Sequence, residues 1–144
     1  MNLRIELVPR SSWGNNVRSM VTAMEWDIIR HECYRQANYT CEICGSATSK
    51  LHCHEVFSYD PPDSQVLTNF RALCERCHEA KHYGRAQVIG NEAAAKAWLM
   101  QVNDWNEHQV QEEISEAFLE WHRRNRVKWQ LDISYLHKFM RGIP

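Results

Sequence analysis

Residues 3–8 alternate apolar and polar as far as Pro9, the period of a half-buried strand. Small polar residues and Gly14 within 11–16 mark a turn, with Trp13 as the side chain expected to dock it. Over 22–38, Trp26, Ile29, Cys33 and Ala37 recur at three- and four-residue steps, which predicts a helix whose buried face uses Cys33 as a small apolar residue. Alternation returns over 51–59, stops at the proline- and aspartate-rich loop 60–64, and resumes over 66–73, so this stretch reads as a hairpin. A short helix over 75–83 is expected next, closed by Gly84. Two longer helices follow. The first starts at Asn91 and is favoured by alanines as far as 102; the second covers 106–124 with Val110, Ile114, Ala117, Phe118 and Trp121 as its apolar stripe. Residues 127–133 alternate again and are expected to pair with the N-terminal strand, after which Ser134 caps a last turn through Phe139.

The elements describe an α+β chain whose C-terminal half is mainly helical. At 144 residues, with six tryptophans, it can bury one modest core. We therefore divide one domain into an N-terminal strand and helix (1–40), a central core (41–84) and a helical extension (85–144). No stretch approaches the roughly 18 apolar residues of a membrane helix and the N-terminus has no signal-peptide core, so a cytoplasmic protein with reduced thiols and no membrane partner is expected. The helical stripes contain no organic-cofactor motif. A net charge of −1 is not that of a strongly basic nucleic-acid binder. The charge is uneven, however: 104–120 holds carboxylates without a lysine or arginine, whereas Arg123, Arg124, Arg126 and Lys128 form a basic stretch that could meet phosphates.

The chemistry lies in 41–82. Cys41 with Cys44 and Cys74 with Cys77 form two Cys-x2-Cys pairs, each short enough to bend round one ion, and Gly45 suits the turn after the first. Together they offer four sulfurs to one tetrahedral structural Zn2+. Inside this clip stand His54, Asn69, His78 and His82, the last two one helical turn apart. This region resembles the HNH endonuclease family, a ββα-metal fold in which a hairpin and a short helix present a catalytic histidine, an asparagine and metal-binding histidines. The phrase over 53–60 and the stretches 7–13 and 102–105 look like small bacterial and phage HNH-type proteins.

The resemblance implies a metal-dependent endonuclease that hydrolyses DNA phosphodiester bonds. In that scheme His54 is the general base and Asn69 positions it, while Cys53, His78 and His82 hold one catalytic divalent metal, with Mg, Mn, Ni and Zn all open. Cys53 departs from the pattern, since the residue before the base is usually Asp or His, and a thiolate prefers softer ions. Glu55 could supply a hard oxygen only if the strand bends, and His52 is a second-choice base. Arg71, Arg76, Lys81 and Arg85 surround the site in sequence as possible DNA contacts. The competing expectation is an HNH-like zinc module whose catalysis has lapsed and which binds nucleic acid or a protein partner.

Overall fold

Two antiparallel strands form the frame on which the candidate site is built: β1 (Leu51–Ser58) and β2 (Ser64–Cys74), paired from Leu51 opposite Cys74 through His54 opposite Arg71. The structure is a computed structural model describing residues 2–60 and 62–144. Pro61, in the expected hairpin loop, lies outside the described residues, and Asp63 turns the chain with a left-handed φ of 63°. An irregularity between Val56 and Phe57 places Phe57 opposite Leu67, so β2 carries one extra residue there. The slip lets Leu67 share a face with Phe70 and Ala72.

That face packs on α2 (Ala23–Gln36), through Trp26, Ile29 and Cys33, and on Phe139 of α7 (Tyr135–Arg141). The start of α2 is fixed by reciprocal hydrogen bonds between Thr22 and Glu25, and a four-residue helix, α1 (Val17–Met20), precedes it. Leu73 belongs to the opposite face and joins the second core, formed with α3 (Glu75–Lys81), α4 (Tyr83–Val88), α5 (Glu92–Asn103) and α6 (Glu107–Arg124). The helix α6 has the expected start, capped by Asn106, and buries Val110 and Ile114 as its stripe predicts.

Several expectations are corrected. The segment 127–133 does contribute a strand, β3 (Gln130–Asp132), but it lies parallel to Ser64–Val66 at the edge of β2 and not against the N-terminal segment. Gly84 does not close the helix. The chain breaks at His82, with φ −90° and ψ 51°, and resumes as α4, which contains Gly84 beside the Leu7 side chain. Trp13 is not docked in the core: it is 62% exposed, held by its indole N–H donating to the Val8 carbonyl at 2.8 Å.

Residues 3–8 keep their alternation, with Leu3 and Ile5 buried, yet form no strand. Side chains take the place of a neighbouring strand. The Asn103 amide accepts from Leu3 N–H and donates to Leu3 C=O, both at 2.8 Å, and Glu113 accepts from Ile5 N–H at 2.9 Å. Lys81 binds the segment's backbone twice, its own carbonyl accepting from Glu6 N–H at 2.9 Å and its ammonium donating to Arg4 C=O at 3.2 Å. The extended chain thus spends its backbone polar groups on α3, α5 and α6, and this is why it is not free to pair with β3.

Candidate metal centres

Cys41 and Cys44 lie in the turn before β1, Cys74 ends β2, and Cys77 sits in the first turn of α3. Their sulfurs fall within 4.8 Å of one another, and all six cysteines of the chain are free thiols. Cys44 Sγ and Cys74 Sγ are 3.7 Å apart. A tetrahedron with Zn–S bonds of about 2.3 Å has edges of about 3.8 Å, so the spacing fits zinc. Donors surround the cluster: Cys74 Sγ accepts from Cys77 N–H at 3.4 Å, Cys77 Sγ from the Trp98 indole at 3.3 Å, and Ser46 Oγ lies 3.1 Å from Cys44 Sγ. Burial opposes ionisation of Cys44, but the Ser46 and neighbouring thiol contacts outweigh it and bring the group down to about 7. Burial pushes Cys74 and Cys77 up. A bound cation would relieve that penalty for Cys74 and Cys77 at once.

The second cluster is formed by His54 of β1, His78 of α3 and His82 at the α3–α4 junction, each with a ring nitrogen within 4.8 Å of the others. The i, i+4 step brings His78 and His82 to a ring separation of 4.7 Å, and each lies 5.5 Å from His54. Burial, reinforced by the neighbouring imidazoles, lowers His78 to about 2 and His82 to about 4. Both rings are consequently neutral near pH 7 and carry a free lone pair, the form that binds a metal.

Strand alternation separates Cys53 from this cluster. It turns to the opposite face, where contact with the Cys33 thiol, followed by burial, pushes its own thiol up and keeps it protonated. The expectation that Cys53 completes the metal set with His78 and His82 is not met, and His54 takes that place. Glu55 also faces away, accepting from Val17 N–H at 2.6 Å. Asn69 is not brought to the His54 ring; it stands opposite Val56 beside the strand irregularity and accepts from Phe70 N–H at 2.9 Å. His52 shares the face of His54 and lies against His78, Nδ1 to Nδ1 at 3.0 Å.

Of the four expected DNA-contacting cations, Arg85 is exposed and close enough to His78 and His82 to disfavour their protonation. Arg71 lies opposite His54 in the hairpin with Glu42 at 3.7 Å, and Arg76 stacks over Trp98 at 5.0 Å. Lys81 is corrected outright: it is buried, with its ammonium donating to Glu6 Oε1 at 2.9 Å, and has no free charge to offer a phosphate.

Pattern reasoning missed Glu6. Its Oε2 lies 2.7 Å from His54 Nε2 while Oε1 takes the Lys81 ammonium. Burial works against its ionisation, but His54 and then Lys81 outweigh it and lower Glu6 to about 2. The sole sequence signal was a carboxylate on the polar side of an alternating segment. The triad and Glu6 form one wall of a cleft of about 700 Å³. Its other walls include Trp13, Arg18, Tyr59, Trp121 and Arg124, with Arg124 stacked over Tyr59 at 4.2 Å and paired with Glu120 at 3.2 Å. No helix among the described residues is long and apolar enough to cross a membrane. The chain therefore offers a four-cysteine site suited to a structural zinc and a three-imidazole site able to take a second ion, and no protein-family model, curated protein or solved structure matches it.

Proposed function

We propose that the chain is a metal-dependent phosphodiesterase acting on DNA, of the HNH type that 41–82 resembles. The observation that carries this reading is the convergence of His54, His78 and His82 on one cleft wall, inside a hairpin and helix closed by four cysteines. Zinc at Cys41, Cys44, Cys74 and Cys77 would tie the entry to β1 to the start of α3, and so hold the hairpin histidine against the helix histidines. Three imidazoles suit borderline ions such as Zn, Ni or Co better than Mg, which favours oxygen ligands.

When bound, a divalent ion supplies Lewis acidity toward a phosphoryl oxygen and makes water nucleophilic near neutral pH. The chain's own part is to fix that ion and present the phosphate. Glu6, as an ionised carboxylate, only accepts hydrogen bonds, so a neutral His54 would carry its proton on Nε2 and keep one lone pair, on Nδ1. That lone pair can hold an ion or take a proton from water, but not both. The approach of three nitrogens favours the ligand role over the general-base role. Arg85, exposed beside His78 and His82, is placed to meet a phosphate oxygen, and Arg18 and Arg124 line the cleft beyond.

Supercoiled plasmid incubated with purified protein should be nicked with Ni, Co or Zn and more slowly with Mg, and His78→Ala should abolish the nicking. Equal nicking by both proteins, or none by either, refutes the assignment. The engagement of Arg71, Arg76 and Lys81 within the protein favours the rival reading, a zinc module with lapsed catalysis. Metal analysis separates the two: the module holds one zinc per chain, whereas the enzyme takes a second ion.

A further inference from the structure

We propose that Glu6 is a positioning residue for the imidazole site: by accepting the His54 Nε2–H it commits that ring's lone pair to Nδ1, and by gripping Lys81 it sets the distance between hairpin and helix. This rests on the reading that His54, His78 and His82 hold a metal.

The geometry is specific on both counts. Glu6 Oε2 is 2.7 Å from His54 Nε2, and Oε1 is 2.9 Å from Lys81 Nζ, so the two oxygens serve different elements. His54 belongs to β1, and Lys81 is the last residue of α3, directly before His82. The backbone joins in, since Glu6 N–H donates to Lys81 C=O at 2.9 Å and Lys81 Nζ donates to Arg4 C=O at 3.2 Å. Glu6 is thus fixed to the helix through main chain and side chain before it meets the imidazole. A carboxylate required only to neutralise Lys81 would not need its second oxygen on a ring that is itself 3% exposed.

An imidazole has two nitrogens and, when neutral, one hydrogen. Left alone, His54 would divide its population between two tautomers, of which one presents N–H at the position that must offer a lone pair. A carboxylate on Nε2 removes the wrong tautomer and enriches electron density at Nδ1, so a ligand so supported binds its ion more tightly. Loss of such a partner typically lowers metal affinity about 10- to 100-fold. The other groups facing the triad do not substitute: His52 lies against His78, and Lys81 and Arg85 are cations that accept nothing.

The test uses the full chain with the cysteine site saturated by one equivalent of zinc, comparing wild type, Glu6→Gln and Glu6→Asp. Cobalt titration followed by visible absorption reads second-site affinity, and long-range 1H–15N NMR reads the His54 tautomer before cobalt is added. Glu6→Gln should bind cobalt about 10- to 100-fold more weakly and lose the pure Nε2–H pattern, since a carboxamide can donate as well as accept. Glu6→Asp, which keeps an acceptor-only group, should recover part of both signals. Wild-type cobalt affinity together with an unchanged tautomer in Glu6→Gln overturns the proposal while leaving the metal reading intact. A wild-type chain that takes no second ion overturns the metal reading and this inference with it. Should Glu6→Gln fail to retain its zinc and fold, Glu6→Asp decides: wild-type affinity with a mixed tautomer refutes the coupling between ring state and binding.

Discussion

Replacing Asn103 with alanine should release the N-terminal segment from the helices. The amide of Asn103 makes two hydrogen bonds of 2.8 Å to Leu3, whose residue surface is 0% exposed. Each such bond contributes about 1 kcal/mol net, and a buried backbone group left without a partner costs about 1–3 kcal/mol. Some relief comes from water reaching the vacated space and from the better helix propensity of alanine, about 0.5 kcal/mol. A loss of about 2–4 kcal/mol results, a large part of the roughly 5–15 kcal/mol typical of a small domain. Urea unfolding of the zinc-loaded protein measures it, with hydrogen exchange at Leu3, Ile5 and Glu6 as the local readout. Asn103→Asp should fall between, since it keeps the acceptor for Leu3 N–H and loses the donor to Leu3 C=O. The exposed Gln87→Ala provides the comparison and should stay within about 0.5 kcal/mol. If Asn103→Ala unfolds at the same urea concentration as Gln87→Ala and the three amides exchange no faster, the side chains do not replace a strand as described.

Three further outcomes are expected. Native mass spectrometry should find one tightly held zinc that Cys77→Ser weakens, and chelation should lower the thermal midpoint; a chelator that leaves both mass and midpoint unchanged argues against a zinc clip. Phe139→Ala should cost about 3–5 kcal/mol in urea unfolding, because the ring is buried and packs 4.8 Å from Phe70; a loss below 1 kcal/mol would mean that α7 contributes little to the β1–β2 face. Acid should destabilise the chain when zinc is limited to one equivalent. The folded pKa values of His78 and His82 lie below the ordinary 6.5, so the unfolded chain takes up protons first and stability falls as pH drops below 6.5, toward about 4 for His82 and about 2 for His78. Glu6 adds its own loss only below about 4.5, as pH falls toward its folded value of about 2. A thermal midpoint unchanged between pH 7.5 and 5 contradicts the burial of the two imidazoles.

What the sequence disclosed was what neighbouring residues decide among themselves. The two Cys-x2-Cys pairs, the i, i+4 step of His78 and His82, the hairpin about the 60–64 loop and the stripe of α6 each express a local period or spacing, and the structure places them accordingly. Strand alternation also put Cys53 and His54 on opposite faces, and it prevailed over the family pattern that would have joined them at one ion. The N-terminal segment could not be placed in the same way. Its partners are side chains of Asn103, Glu113 and Lys81, distant in sequence, and no periodicity announces that an amide will stand in for a strand. Glu6 was invisible for the same reason. Gly84 misled because a glycine near a helix end reads as a stop, whereas here it lies inside α4 and the break falls at His82.

One peptide bond joins Cys77, a ligand of the proposed zinc clip, to His78, a member of the triad. Successive residues on a helix point about 100° apart, so a single turn of α3 would serve both proposed coordination spheres in different directions. Inserting one residue between these two positions would swing the imidazoles by that angle while the thiols stayed where they were. This dipeptide should consequently tolerate exchange of one metal-binding side chain for another better than any change in its length, and sequences that share the double site should keep its two members adjacent.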